Sequence, residues 1–231
     1  MIIAFWIPCN AYANDPAIAE RITALRKKAY AAASSDDFKY AAMIYTEILG
    51  IYDDPIAANN LAGQYLRGNG VTADAVIAVE LFKKAIAFGF EDVFSKSPSR
   101  GAAATSLGWI YLTGEYEGVA RNPGEALRWT LRGARLGHTN AYSNLALMYA
   151  TGFGVKRDYK ASITQLIKSI DAYSDAFNWI LNSEDEWLRF GKDIPKFMHD
   201  ARGIYWQAIR SGDKESSIRR LQDLQAKLPL Q

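Results

Sequence analysis

Three stretches of this 231-residue chain are variants of one another, and that internal repetition limits the fold more than any other feature. The first runs Ala57-Ala58-Asn59-Asn60-Leu61-Ala62-Gly63-Gln64-Tyr65-Leu66-Arg67-Gly68-Asn69-Gly70-Val71. The second runs Ala103-Ala104-Thr105-Ser106-Leu107-Gly108-Trp109-Ile110-Tyr111-Leu112-Thr113-Gly114 and reaches Gly118-Val119 after a short insertion. The third runs Ala141-Tyr142-Ser143-Asn144-Leu145-Ala146-Leu147-Met148-Tyr149-Ala150-Thr151-Gly152-Phe153-Gly154-Val155. Ala57, Leu61 and Tyr65 stand at i, i+4 and i+8, as do Ala103, Leu107 and Tyr111, which makes one stripe of a helix. Ala62, Gly108 and Ala146 follow the Leu, and residues that small let a neighbouring helix approach closely. The Gly-x-Gly-Val turn supplies positions that tolerate positive φ where the helix must stop.

A second amphipathic run follows each copy, carrying Ala78, Phe82 and Ala85 in the first, Ala126, Trp129 and Ala134 in the second, and Ala161 through Leu166 to Ile170 in the third. Asp74, Asn122 and Asp158 fall three residues after the Val, where they are expected to be N-caps of these second helices. Pro123 then takes the first helical position and Glu125 completes a variant capping box. Gly89 and Gly137 are expected to close the second helices. The unit is a helix–turn–helix of roughly 36–38 residues, the size at which such units stack as solenoids.

The pattern Ala-x-x-x-Leu-Gly-x-x-Tyr-x-x-Gly…Gly-Val-x-x-Asp resembles Sel1-like repeats, relatives of the tetratricopeptide repeats. The resemblance covers about residues 56–170 and implies an all-α, right-handed α/α superhelical solenoid. It departs from a regular array in three places. Residues Ser95 to Arg100 belong to an insertion, the second turn has two extra residues, and the third copy lacks a closing Gly.

The flanks extend the same logic. Residues 16–33 and 37–50 carry two helical patterns split by Ser34-Ser35-Asp36-Asp37, so 14–55 reads as a tetratricopeptide-like helix pair ahead of three repeats in 56–171. From 172 to 231 the repeat fades, but apolar periodicity continues at Phe177, Ile180, Leu181, Trp187 and Leu188 and resumes at Phe197, Ile204, Tyr205 and Ile209. A last charged helix around Ser216–Leu224 is the polar cap a solenoid end requires, and no linker interrupts the chain. Residues 1–13 read as a truncated signal peptide. An apolar stretch from Met1 to Ile7 precedes Ala11 and Ala13, small residues spaced for cleavage ahead of Asn14, although no Lys or Arg precedes it. Export to a bacterial periplasm or beyond is therefore expected, and a cytoplasmic location if the segment stays attached. Cys9, the single cysteine, would leave with that segment. No apolar run approaches the ~18 residues of a spanning helix.

Net charge is +2, from 27 basic and 25 acidic residues, too balanced for a nucleic-acid footprint. Gly68-Asn69-Gly70 and Gly152-Phe153-Gly154 lack the third Gly, the Lys-Ser/Thr and the preceding strand of nucleotide loops, so they are turns. His138 follows Gly137 at an inter-helix turn and is expected to be solvated. His199 beside Asp200 has no Ser or Cys nucleophile in a recognisable setting. Glu184-Asp185-Glu186 reads as a solvated helix start, and Arg26-Lys27-Lys28 and Arg219-Arg220 as charged faces. No catalytic residue, cofactor or metal is expected.

Tyr65, Tyr111, Tyr149 and Trp129 occupy positions the repeat core requires. Trp109 does not: it lies off the stripe, its equivalents are Gly63 and Leu147, and tetratricopeptide-like helices turn this place towards a concave groove. Asn59, Arg67, Thr105 and Ser143 project similarly. The resemblance implies a non-enzymatic adaptor, as Sel1-like proteins commonly serve complex assembly, envelope processes, signalling or host contact. A protein or peptide partner is then expected in the groove, with Trp109 as anchor. Two alternatives stand beside it. One is a secreted effector whose activity resides in 172–231. The other is a β-lactamase-like hydrolase; relatives so described carry a cysteine pair in each repeat, which this chain lacks, and no Ser-x-x-Lys with its partner motifs is present here.

Overall fold

A computed structural model describes residues 16–88, 98–172 and 193–228. Every regular element among them is a helix: α1 Pro16–Ser34, α2 Phe38–Ile51, α3 Pro55–Arg67, α4 Ala75–Ala87, α5 Pro98–Thr113, α6 Pro123–Arg135, α7 Thr139–Thr151, α8 Tyr159–Ala172, α9 Lys196–Ser211 and α10 Lys214–Ala226. The chain divides into two compact units, residues 1–93 with 116–119, and residues 94–115 with 120–231. The repeat pattern does not announce that division. Residues 1–13 with Cys9, Gly89, the residues Ser95–Ser97, the acidic run 184–186 and the apolar positions from Phe177 to Leu188 lie outside the described residues.

In the first unit α1 packs on α2, α2 on α3 and α3 on α4. Its core takes Ile22, Ala29, Ile44, Tyr45, Ile48, Ala57 and Leu61, with many alanines so that helix axes sit close. The Ser34–Asp37 break turns on Asp36, which adopts φ 61°, and Asp37 caps α2 by accepting the Tyr40 N–H. In the second unit the pairs α5/α6 and α7/α8 pack side by side, α5 also touches α7, and α8 receives both α9 and α10. Leu145, Met148, Ile163, Leu166, Ile170, Met198 and Leu221 form its centre. The charged α10 buries only Ser217 and Leu221, consistent with a polar terminal face.

The N-caps read from the repeat are present, but Glu125 completes no capping box: its carboxylate accepts from Arg128 and Trp129, and the Asn122 N–H goes to Tyr111. Asp74, Asn122 and Asp158 accept backbone N–H groups of Ile77 (2.9 Å), Glu125 (3.1 Å) and Ala161 (2.8 Å). The same residues' own N–H groups donate to the carbonyls of Tyr65, Tyr111 and Tyr149, each at 2.9 Å. One residue thus stops the first helix and starts the second, which explains its fixed place in the repeat. Gly137 adopts φ 82° after α6, as expected of its closing glycine. One boundary differs. Pro98, Ser99 and Arg100 open α5 and are not part of the insertion, since Pro is preorganised for the first helical turn.

Candidate functional site

Two of the expected partner-binding residues lie on α3, in the first unit. Asn59 is half-buried, and its side-chain N–H donates to Asn60 Oδ1 at 3.3 Å; Asn60 in turn donates to the Tyr45 hydroxyl at 3.1 Å. This ladder ties α3 to α2 and presents amide groups beside the phenol, whose pKa is raised chiefly by burial. Arg67, at the end of α3, folds back over Gly63: a Cβ there would stand 2.9 Å from Arg67 Nη2. Gly63 therefore makes room for the guanidinium, whose pKa is lowered by desolvation, with Tyr116 acting in the opposite direction.

The other three lie in the second unit, and two of them are placed otherwise than expected. Thr105 is 5% exposed and Ser143 is 7% exposed, so neither offers its side chain to a groove. The Thr105 hydroxyl donates to the Gly101 carbonyl at 2.8 Å, and the Ser143 hydroxyl donates to the Asn140 carbonyl at 2.9 Å. Gly133 of α6 explains the burial of Thr105, because a Cβ on it would stand only 2.4 Å from Thr105 Oγ1. With no side chain on Gly133, α6 closes over the threonine. Trp109, one turn further along α5, is half-buried and packs against the core of this unit.

His138 also departs from expectation. It is 9% exposed, and its Nδ1 lies 2.9 Å from Thr105 Oγ1. The Thr105 proton is already given to Gly101, so the hydroxyl oxygen accepts from Nδ1–H of a neutral ring. Burial pushes the His138 pKa down to about 4. The unfolded chain, with an ordinary value of about 6.5, binds the proton first, so stability is lost as pH falls from about 6.5 towards about 4. Between pH 7 and pH 5 the loss from this one group is expected to be about 2 kcal/mol. Urea midpoints at the two pH values, compared with those of His138→Asn, check it: the variant should lose the extra slope.

Sequence reasoning also missed three arginines. Arg26 is no simple solvated charge, because its Nε donates to the buried Asp54 carboxylate at 2.7 Å, and Asp54 also caps α3. Arg121 and Arg157 each precede an N-cap and donate to a carbonyl at the end of the preceding helix, Leu112 at 2.8 Å and Thr151 at 3.2 Å. That shared offset was the available signal. Ser211 and Lys214 stand at Ser-x-x-Lys spacing, but the Ser211 hydroxyl donates to the Gln207 carbonyl and accepts the Asp213 N–H, which closes α9. Among the described residues no three His, Cys, Asp or Glu side chains gather into a metal-binding group, and no helix is long and apolar enough to cross a membrane.

Helix pairs joined by short turns, with a polar cap opening each second helix, define an all-α protein of the α/α solenoid class. The Sel1 repeat family model matches residues 55–87, 101–138 and 139–164, so the chain carries three Sel1 repeats. A crystal structure of a Sel1 repeat protein from Oxalobacter formigenes is similar to it, with a TM-score of 0.57 and 20% identity over 94% of this chain and 92% of that one. A second similar structure is c5321, a protective antigen present in uropathogenic Escherichia coli strains, with a TM-score of 0.44 and 20% identity over 82% of this chain and 49% of that one. No curated protein matches the sequence. Sel1 repeats generally serve as protein–protein interaction scaffolds.

Proposed function

We propose that the protein is a non-enzymatic scaffold that captures a peptide or partner helix on the faces of its first helices. Trp109 is the anchor on the second unit, and Asn59 and Arg67 are separate polar positions on the first. The observation that carries this reading is the Trp109 indole itself: it is large, held in place by packing on the core, half open to solvent, and not required by a repeat that has Gly63 and Leu147 at the same place. A rigid aromatic loses little entropy on binding, which is why such residues dominate interfaces. The side-chain amides of Asn59 and Asn60 support the reading, since they offer donor and acceptor groups for a peptide backbone. Thr105 and Ser143 leave the proposed surface because of their burial.

Trp109→Ala is expected to weaken partner capture by roughly tenfold or more, the loss typical of an interface anchor, while far-ultraviolet circular dichroism stays near the parent's. Quantitative affinity capture with both proteins from the native cell checks this, and equal capture of the same partners would sink the assignment. Export belongs to the proposal as well, supported by Ala11 and Ala13 ahead of Asn14. Mass spectrometry of the mature N-terminus tests it.

A further inference from the structure

The surface of α6 holds a concentration of positive charge that the repeat does not require. Arg128, Arg132 and Arg135 stand at i, i+4 and i+7, one stripe of the helix, with Arg128 and Arg135 exposed and Arg132 half-buried. The Trp129 indole, buried beneath them, is flanked by two guanidinium groups, with Arg128 at 4.1 Å and Arg132 at 5.8 Å from the ring centre. Glu125 holds the arrangement at one end: it accepts the Trp129 indole N–H at 2.8 Å and pairs with Arg128. Neither Arg132 nor Arg135 takes part in an ion pair with a described residue. Arg100, from the first turn of α5, brings a fourth guanidinium within electrostatic reach of Arg132.

A helix dipole accounts for part of this. Arg132 and Arg135 lie in the last turn of α6, where a cation is favoured. It does not account for Arg100, which lies at the N-terminal end of α5, where a cation is disfavoured. The charged form of Arg132 is disfavoured first by burial and then by Arg100, Arg128 and Arg135 together. Arg132, over the indole, and exposed Arg135 carry positive charge that a carboxylate-bearing occupant would pair. Arg128 already gives its Nε and Nη2 edge to Glu125, so Arg132 and Arg135 are the groups left for pairing with an incoming carboxylate.

We propose that the Arg128–Arg132–Arg135 stripe of α6 is a docking surface for an acidic, Asp/Glu-rich segment of a partner protein. Its size fits that occupant. The stripe spans about 10 Å along the helix at about 1.5 Å per residue, enough for two or three carboxylates and short for a run of nucleic-acid phosphates. Exposed Leu131 lies between Arg128 and Arg132 in sequence and gives the surface an apolar edge suited to a peptide side chain. This surface uses neither Trp109 nor Arg67, so it stands or falls separately from the function proposed above.

The test measures fluorescence anisotropy of labelled octaglutamate and octaglutamine against the full-length chain, at low salt and at physiological salt. Octaglutamate is expected to bind roughly tenfold or more tightly than octaglutamine, with the difference shrinking as salt rises. Arg132→Gln combined with Arg135→Gln should remove that advantage. Arg135→Gln alone, on an exposed side chain that does not endanger the fold, should lower the octaglutamate affinity by about threefold, a typical share for one charge-assisted pair. Arg219→Gln with Arg220→Gln, the same charge loss on α10, and Trp109→Ala should leave it unchanged. Equal binding of the two peptides overturns the proposal, as does an equal loss in the α10 variant. Tighter, stripe-dependent binding of a single-stranded oligonucleotide of the same charge would replace the acidic protein segment with a nucleic acid.

Discussion

Replacing Gly70 with alanine is expected to destabilise the first unit by about 2–5 kcal/mol, among the largest costs for a single added methyl group in this protein. Two effects add. Gly70 adopts φ 72°, a left-handed conformation that costs a residue with a Cβ about 1–2 kcal/mol. A Cβ there would also stand 2.3 Å from the Phe38 carbonyl carbon and 2.4 Å from the Lys39 nitrogen, backbone atoms in the first turn of α2. Backbone cannot rotate out of the way as a side chain can, so the turn or the helix must move, at a further cost of about 1–3 kcal/mol. The buried Gln64 side chain donates to the Phe38 carbonyl at 3.2 Å, so movement there strains a second contact. Gly154 repeats the arrangement against the Pro123 carbonyl oxygen, 2.6 Å from its Cβ position. Gly50, inside α2, has nothing within 4 Å of its Cβ position, so Gly50→Ala is expected to stabilise by about 0.5–1 kcal/mol. Urea unfolding followed by circular dichroism measures both, and equal effects from Gly70 and Gly50 would refute the close-approach argument.

The second large effect belongs to Arg26. Removing its side chain leaves the fully buried Asp54 carboxylate with the α3 cap alone, the Ala57 N–H at 2.8 Å. An uncompensated buried charge costs about 3–5 kcal/mol, and because Arg26 itself is about one-third exposed (34%), water can enter its place, so roughly 2–4 kcal/mol is expected for Arg26→Ala. Asp54→Asn should be far milder, about 1 kcal/mol, because asparagine is an equally good N-cap and the freed guanidinium can turn to solvent. In the double variant most of the Arg26→Ala penalty should vanish, since no buried carboxylate remains to be paired. A double-mutant cycle in urea gives the coupling directly. If Arg26→Ala costs no more than Asp54→Asn, the pair does not carry the contact between α1 and the start of α3.

These two cases mark where the sequence is legible. Gly70 announces itself through repetition, because the same turn recurs as Gly68-Asn69-Gly70 and Gly152-Phe153-Gly154, and the caps Asp74, Asn122 and Asp158 follow at one offset. Their partners lie three residues along the chain or nine to eleven residues back across the turn, so spacing alone carries the information. Arg26 and Asp54 are 28 residues apart, and nothing in either local pattern pairs them. Thr105, Ser143 and His138 fail for a related reason. Repeat position gives the angle at which a side chain leaves its helix, but not how near the neighbouring helix comes. Gly133 lets α6 close over Thr105, and the pocket so formed takes the His138 ring.

The sequence alone determined the helix pairs, their turns and caps, and the kinship with Sel1 repeats, because each rests on interactions between residues close along the chain. Tertiary packing alone decided which polar side chains are buried, which histidine stays neutral, and which distant arginine pairs with Asp54. Those outcomes depend on the separation between helix surfaces, which is set by side chains from distant parts of the chain acting together.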